Sequence, residues 1–251
     1  MVEIKNLSFS YHKSKKVLDD VSFDILDNKV TILLGPNGVG KSTIINCLLG
    51  FNKVKEGSIL VDSIPHNKLS TSEKAKSFAY VAQSISKTDL TVEETILLGR
   101  LPFYKIYPSK EDKILVDDII KELSLEEIRF SNTNEISGGE RQKVAIATSL
   151  VQDAKTIVFD EPTSNLDIKS QVEILNMIKY QVSKKQKSAL ISMHDINQAL
   201  EIGDRFIFLK DGKVYKTCTK EEIDASLLKD VYGIKMKIIQ DKKEIYVHYE
   251  K

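Results

Sequence analysis

Tryptophan is absent from this chain of 251 residues, and cysteine occurs only twice, at Cys47 and Cys218. Two distant cysteines neither build a disulfide framework nor match the spacing of metal ligands, so a disulfide-rich secreted fold and a zinc site are both excluded. Cys47 instead fits a small buried apolar residue. No apolar run approaches the ~20 residues of a membrane-spanning helix, and residues 1–5 do not open an apolar signal segment. We therefore expect a cytoplasmic protein that reaches a membrane only through a partner.

An excess of charge of one sign is also lacking, because 37 Lys and Arg residues face 36 Asp and Glu residues and the net charge is +1. A protein that holds nucleic acid mainly by a basic field needs such an excess, so we expect no nucleic-acid partner. The lysines near the C-terminus predict a solvated strand face rather than a binding site. These lysines are Lys235, Lys237, Lys242 and Lys243. The hydrophobic share of 41% indicates an ordinary globular protein with a sizeable core.

The strongest motif is a glycine-rich stretch near the start of the chain. It consists of Gly35, Pro36, Asn37, Gly38, Val39, Gly40, Lys41, Ser42 and Thr43. This order fits the phosphate-loop pattern, in which a glycine and four further residues precede Gly-Lys-Ser/Thr. Residues 30–34 are apolar and β-branched and predict a buried strand before the loop, and residues 44–49 predict a helix after it. Because strand, loop and helix follow in the order that this motif requires, we expect a polyphosphate site.

Individual side chains around this loop have expected roles. Glycine-rich backbone N–H groups and the positive end of a helix cradle phosphate. Lys41 is expected to reach the β- and γ-phosphates, and the hydroxyl of Ser42 is expected to ligate Mg²⁺. Tyr11 lies in a polar turn upstream of the loop and is a candidate for stacking on adenine. Taken alone, however, a tyrosine in a turn is more often a plain surface residue.

An apolar run ends in two carboxylates at Asp160 and Glu161, after residues 156–159. Buried strands do not usually end in paired acids without a chemical reason. Asp160 is expected to hold Mg²⁺ through water, as the second half of a phosphate-loop hydrolase site. Glu161 is expected to polarise the attacking water as a general base.

Two other apolar runs end in single polar residues, Gln83 after residues 78–82 and His194 after residues 188–193. The amide of Gln83 either caps a turn or faces a metal and a water. A histidine after a strand is usually structural, but open α/β sheets bind ligands at the carboxyl ends of their strands. The imidazole of His194 is therefore a candidate to bond a γ-phosphate.

The middle of the chain, residues 91–151, carries mostly helical patterns and predicts a helical insertion. Ser109 with Asp112 has the spacing of a helix-starting capping box. Ser137, Gly138 and Gly139 stand immediately before a further helical run and combine small residues with free N–H groups at a helix N-terminus, which suits an anion.

In this order, the motifs resemble the ATP-binding-cassette (ABC) ATPases over essentially the whole chain. The shared features are the phosphate loop, Gln83, residues 137–142, Asp160 with Glu161, residues 164–167, and His194. Two mild departures are Ile136, where the family usually has Leu, and Lys143, where it commonly has Arg. The resemblance implies an α/β fold: a P-loop NTPase core with an N-terminal antiparallel β-subdomain and an inserted α-helical subdomain.

The resemblance also implies a division of the single ABC domain, residues 1–251. Residues 1–90 and 152–251 would form the nucleotide-binding core with its β-subdomain, residues 91–151 the helical subdomain, and residues 232–251 a C-terminal strand pair. Two copies would pair head to tail and sandwich two MgATP. Each site would take Tyr11, residues 37–43, Gln83, Asp160, Glu161 and His194 from one copy, and Ser137, Gly138 and Gly139 from the other. Asp167 would communicate across the interface.

A narrower resemblance links residues 98–103, 109–112 and 231–234 to the ATPases of iron-siderophore, haem and vitamin B12 importers. It implies a motor peripheral to the inner face of the cell membrane, a permease docked near residues 84–107, and indirect dependence on an extracytoplasmic substrate-binding protein. The aromatic loop within residues 84–107 could instead pack on its own subdomain.

Two other functions remain open. One is a non-transport ABC ATPase that acts on ribosomes, DNA or assembly complexes, although the tandem cassettes or coiled-coil insertion typical of that class are missing. The other is a nucleotide-binding module without turnover, against which the filled positions Glu161 and His194 argue.

Overall fold

The computed structural model describes residues 1–11, 16–83, 88–104, 106–241 and 244–249. They form two compact units, residues 1–68 with 179–251 and residues 69–178. Both units contain helices and strands, so the α/β class is as predicted. Lys242 and Lys243 of the predicted lysine-rich strand face lie outside the described residues. Every helix within the described ranges is too short or too polar to cross a membrane.

The first unit contains two sheets and a strand pair. Its strands are β1 (Val2–Phe9), β2 (Leu18–Ile25), β3 (Val30–Leu34), β4 (Glu56–Val61), β5 (Ile64–Pro65), β8 (Ser188–Ser192), β9 (Arg205–Lys210), β10 (Lys213–Cys218), β11 (Met236–Asp241) and β12 (Glu244–Tyr249). An antiparallel sheet has the order β2-β1-β4-β5, and in the other sheet β10, β9, β3 and β8 follow in that order. Strands β11 and β12 pair antiparallel at the C-terminal end, as predicted.

The residues of β3 and β8 are all buried, which explains their continuous runs of mostly apolar residues. β3 pairs parallel with both β8 and β9, so the residues that follow β3 and β8 leave the sheet at the same edge. The predicted hairpin turn between β9 and β10 is also present, because Asp211 and Gly212 both have positive φ angles, of 50° and 74°.

The helices of the first unit are α1 (Lys41–Leu49), α7 (Ile196–Ile202) and α8 (Ala225–Tyr232). α1 ends at a left-handed C-cap, Gly50, which has a φ of 80°. Cys47 on α1 is fully buried, as predicted, and burial raises the pKa of its thiol to about 11. α8 begins at Ala225 because the carboxylate of Asp224 accepts the N–H of Leu227 and caps the helix there.

The second unit contains a parallel strand pair and a group of helices. Its elements are α2 (Thr71–Ser77), β6 (Phe78–Val81), α3 (Val92–Leu97), α4 (Lys110–Glu122), α5 (Gly138–Val151), β7 (Thr156–Asp160) and α6 (Ile168–Lys185). The boundary between the two units falls within α6. β6 pairs parallel with β7, and α3, α4 and α5 pack on one another. The helical patterns predicted for residues 91–151 are thus confirmed, as is the capping box of Ser109 with Asp112 at the start of α4.

The turn of residues 98–103 joins these helices and shows why its sequence is restricted. A Cβ atom on Gly99 would lie 2.1 Å from the carbonyl oxygen of Thr148, so a larger residue would push the turn away from α5. Arg100 donates from Nε to Asp112 Oδ1 at 2.7 Å and from Nη1 to the Val151 carbonyl at 2.8 Å. One guanidinium therefore ties the start of α4 to the end of α5.

Candidate active site

The phosphate loop follows β3 directly, and its backbone requires glycine at specific positions. Gly35 has a φ of 149°, and a Cβ atom there would lie 2.5 Å from the Leu209 carbonyl oxygen. Gly40 has a φ of 113° and stands at the N-cap of α1, which begins at Lys41 rather than at the predicted residue 44. Earlier helix formation places Lys41, Ser42 and Thr43 in the first turn of the helix.

Lys41 has a buried side chain that folds back onto the loop. Its Nζ atom donates to the carbonyl oxygens of Gly35 at 2.9 Å and Pro36 at 3.3 Å. Ser42, by contrast, is exposed. The ammonium group of Lys41 is thus held against the backbone of the loop, whereas Ser42 lies at the surface.

Tyr11 lies beside the start of α1. Its hydroxyl is 3.3 Å from Thr43 Oγ1 and accepts from Asn52 Nδ2 at 3.3 Å, and the hydrogen bonds with Thr43 and Asn52 lower its pKa. Its ring packs edge-on to Phe9 with centroids 5.0 Å apart, yet 54% of the residue is exposed. Tyr11 thus lies next to the loop with about half of its surface exposed among the described residues.

His194 leaves the sheet of the first unit next to the phosphate loop. The amide of Met193, just before it, donates to the Leu33 carbonyl at 3.1 Å, which continues the pairing of β8 with β3. His194 is exposed, and the following Asp195 caps α7 by accepting the N–H of Gln198. The first unit therefore places His194 beside the end of β3, where the phosphate loop begins, and Tyr11 beside Thr43, where the loop ends.

Gln83 and Glu161 meet at the carboxyl ends of β6 and β7 in the second unit. Gln83 Nε2 donates to Glu161 Oε2 at 2.8 Å, and Ser164 Oγ donates to the same oxygen at 3.1 Å. Glu161 has a φ of 49°, a left-handed conformation that bends the chain sharply at the end of the strand. Ser164 has no role predicted from the sequence, although it stands three residues after Glu161.

Asp160 lies next to this group and is 8% exposed. Its negative charge adds to burial in raising the pKa of Tyr80, which lies on the neighbouring strand β6. This carboxylate at the end of a buried strand is the predicted cation-binding position.

Ser137 is the N-cap of α5 and forms a capping box with Glu140. Its Oγ accepts the N–H of Glu140 at 3.3 Å, and its own N–H donates to Glu140 Oε2 at 2.7 Å. These hydrogen bonds with Ser137 lower the pKa of Glu140. Gly138, which is exposed, and Gly139 form the first residues of the helix, so the predicted small-residue N-terminus is present.

Asp167 and Gly139 both approach Ser170 at the start of α6. Asp167 accepts the N–H of Ser170 at 3.0 Å and its hydroxyl at 2.8 Å, and these bonds lower the pKa of Asp167. A Cβ atom on Gly139 would lie 2.4 Å from Ser170 Oγ. The contact of Ser170 is not predicted from the sequence, although Asp167 is a residue type that commonly caps a helix start.

Comparison with known proteins assigns the family. A model of the ABC transporter family matches residues 18–164, which is more than half of the chain. The chain belongs to the ABC transporter family. As a cassette of this family it binds ATP and is an ATPase, and the predicted fold class is confirmed.

Relatives over nearly the full length support this assignment. The ABC cassette is 40% identical to an ABC transporter ATP-binding protein of Methanocaldococcus jannaschii, over 93% of this chain and 92% of the relative. It is 33% identical to a petrobactin import ATP-binding protein of Bacillus subtilis, over 95% of each chain. A solved dimeric ATP-binding cassette in a post-hydrolysis state, bound to ADP and Pi, is 29% identical and superposes with a TM-score of 0.79, over 89% of this chain and 100% of that one.

Proposed function

We propose that this ABC cassette is the ATP-hydrolysing motor subunit of an importer for an iron chelate, such as a siderophore or haem, or for vitamin B12. The main supporting observation is a hydrogen-bonded group formed by Gln83, Ser164 and Glu161. This group fixes a carboxylate at the end of a buried strand, where ATP hydrolysis needs a general base. The Bacillus subtilis relative is named for petrobactin import, and residues 98–103 resemble the same importer class. An iron chelate is therefore the favoured cargo.

ATP is proposed to sit between two copies of the chain paired head to tail. One copy contributes Tyr11 to adenine, residues 35–43 to the phosphates, and Gln83, Asp160, Glu161 and His194 to the reacting end. The other contributes Ser137, Gly138 and Gly139. Neither surface alone encloses the γ-phosphate, so ATP would stabilise the dimer and hydrolysis would release it. The solved relative that is dimeric and holds ADP and Pi supports this pairing.

The proposed Mg²⁺ ligands are the hydroxyl of Ser42, the carboxylate of Asp160 and the amide oxygen of Gln83. All three are hard oxygen donors, which suit Mg²⁺. The amide nitrogen of Gln83 already donates to Glu161, so its oxygen is the atom that can face a cation. When bound, Mg²⁺ would neutralise charge on the phosphates.

In the proposed reaction, Glu161 takes a proton from the attacking water while Gln83 and Ser164 hold the carboxylate. Lys41, His194 and the N-terminus of α5 from the partner copy would stabilise the charge that develops on the γ-phosphate. Asp167, fixed by Ser170, would communicate across the interface.

The permease is proposed to dock near residues 84–107, of which residues 84–87 and Lys105 lie outside the described residues. Within the described part, Ile106 and Tyr107 are 77% and 83% exposed, as a docking surface requires. The motor would then lie on the cytoplasmic side of the cell membrane and depend indirectly on an extracytoplasmic substrate-binding protein. The division into a core, a helical subdomain of residues 91–151 and a C-terminal strand pair is part of this proposal.

The test is purification of the tagged chain from membranes of its own cells, followed by identification of the proteins that accompany it. Tyr107→Asp is the matched variant, because so exposed a side chain can change without loss of folding. We expect the wild-type chain to recover a multi-spanning permease, and the variant to lose it while still binding ATP. Recovery of ribosomes or DNA-repair factors by both chains would overturn the importer proposal.

A further inference from the structure

Two segments of the second unit, residues 88–93 and residues 129–134, lie side by side as a short ladder. Three backbone hydrogen bonds connect them: Val92 N to Ser131 O at 3.0 Å, Glu93 N to Arg129 O at 3.1 Å, and Thr133 N to Leu90 O at 3.0 Å. Thr91 and Asn132 form an antiparallel bridge between them. This ladder lies outside the named strands, so it joins these two segments to each other rather than extending a sheet.

Thr133 is the buried centre of the ladder, with only 2% of its surface exposed. Its hydroxyl donates to the carbonyl oxygen of Thr88 at 3.0 Å and accepts the N–H of Thr88 at 3.2 Å. The two threonine hydroxyls are also 2.9 Å apart. One side chain therefore bonds three polar groups of half-buried Thr88, and its loss would remove a hydrogen-bond partner from each.

Charged side chains reinforce the same ladder. Arg129 donates to both carboxylate oxygens of Glu93, at 2.9 and 2.7 Å, and forms an ion pair with Asp117 on α4 at 2.6 Å. Asn134 Nδ2 donates to Asp89 Oδ1 at 2.9 Å. A two-point arginine–carboxylate contact fixes orientation as well as distance, so the two segments resist sliding.

Along the chain, the ladder lies between two predicted site positions, Gln83 and Ser137. Its first segment starts five residues after Gln83, and its second ends three residues before Ser137. A turn closed by the N–H of Glu135 and the carbonyl of Asn132, at 3.0 Å, leads from Thr133 toward α5. The start of α5 is thus anchored upstream by the ladder as well as downstream by its own packing.

We propose that Thr133 is a positioning residue that sets the first turn of α5, and so Ser137 and Gly139, for the ATP site of the partner copy. This rests on the proposed head-to-tail pairing. Hydrogen-bond donors aimed at a developing charge act only within a few tenths of an ångström of the productive position. Because the ladder cannot slip without leaving buried polar groups unpaired, it supplies that precision.

Thr133→Val keeps the shape of the side chain and removes its hydroxyl, whereas Thr133→Ser keeps the hydroxyl. The control is Ser149→Ala, which removes a buried hydroxyl that donates within α5, to the Ile146 carbonyl. Each change is made in a Glu161→Gln chain, and gel filtration measures the ATP concentration that gives half dimer. Binding of a fluorescent ATP analogue to the monomer and the melting temperature are measured in parallel.

We expect Thr133→Val to raise the half-dimer ATP concentration about tenfold, a change of about 1.4 kcal/mol for each of the two ATP sites of the dimer. Thr133→Ser and Ser149→Ala should leave it within about twofold, and monomer affinity should stay unchanged in all three. If Thr133→Val does not fold, Asn134→Ala at the exposed end of the ladder should still raise the value, by about two- to threefold.

An unchanged half-dimer concentration in Thr133→Val, or an equal rise in Ser149→Ala, would overturn the positioning role. A rise that is accompanied by an equal loss of monomer affinity would also overturn it, because the effect would then lie in the chain's own nucleotide site. Failure of the parent Glu161→Gln chain to dimerise with ATP is a separate result. It would overturn the head-to-tail pairing itself, and the positioning role with it.

Discussion

Asp112→Ala tests whether the buried ion pair of the helical region is a main source of its stability. The Asp112 side chain is 7% exposed, and its two oxygens accept from Arg100 Nε at 2.7 Å and from the N–H of Ser109 at 2.9 Å. Truncation to alanine therefore leaves a guanidinium that is only 13% exposed without its counter-ion. It also removes half of the capping box at the start of α4.

The expected loss of stability is about 3–4 kcal/mol. Removing one partner of a buried pair costs ~3–5 kcal/mol, and the low end applies because Arg100 keeps its bond to the Val151 carbonyl and its stacking on Phe103, 4.1 Å away. The lost cap adds roughly 0.5–1 kcal/mol. Asp112→Asn keeps the volume and an acceptor for the cap, so its loss should be about 1–2 kcal/mol.

The same pair has a defined pH dependence. Burial alone would raise the pKa of Asp112, but the hydrogen bonds from Arg100 and Ser109 outweigh it and hold the pKa below its ordinary value of 3.8. A lowered pKa means that the stabilisation is fully present above that ordinary value and is lost as the pH falls through the folded-state value. The advantage of the wild-type chain over Asp112→Asn should therefore be constant near neutral pH and shrink in acid.

The assay is urea unfolding followed by circular dichroism, with Asp118→Ala as the control because it removes an exposed carboxylate from the same helix. The control should change stability by less than about 0.5 kcal/mol. A loss below about 1 kcal/mol in Asp112→Ala would refute the role assigned to the pair. If the alanine and asparagine variants lost equal stability, the separate contributions assigned to the carboxylate charge and to the helix cap would be refuted.

Three further predictions concern the nucleotide site and the turn that packs on α5. Glu161→Gln should lower ATP turnover at least ~100-fold while ATP binding remains, and rapid hydrolysis by that variant would exclude the proposed base. Lys41→Ala should weaken binding of a fluorescent ATP analogue at least tenfold, by roughly 1.4 kcal/mol, and unchanged affinity would exclude its phosphate contact. Gly99→Ala should destabilise the chain by about 1–3 kcal/mol in urea, because its Cβ atom would lie 2.1 Å from the Thr148 carbonyl, and a neutral result would mean that the turn shifts freely.

The elements that could be predicted from the sequence are those whose signal is local. β3, the phosphate loop and α1 are encoded by a buried strand, glycines at positive φ and a C-cap at Gly50, all within consecutive residues. Helix α2 was missed although Ser70 and Glu73 form a complete capping box, because none of its residues is buried and it has no apolar period. The sequence of α2 thus contains the capping residues that start a helix, but not the periodic apolar residues that pack one.

The contacts that could not be predicted join residues far apart in the chain. Nothing near Arg100 in the sequence indicates that its guanidinium reaches the Val151 carbonyl, 51 positions later. Likewise Thr133 is one of many threonines until the fold places it against Thr88, 45 positions earlier. Such roles depend on tertiary geometry, which sequence periodicity does not encode.

The polar groups that we assign to ATP chemistry already have partners within their own units. Lys41 bonds to loop carbonyls, Ser137 bonds to Glu140, and Glu161 accepts from Gln83 and Ser164. An unpaired buried charge would destabilise the cassette before nucleotide arrived. Binding of ATP must therefore exchange these internal bonds for bonds to phosphate, so its net free energy is the difference between two satisfied states.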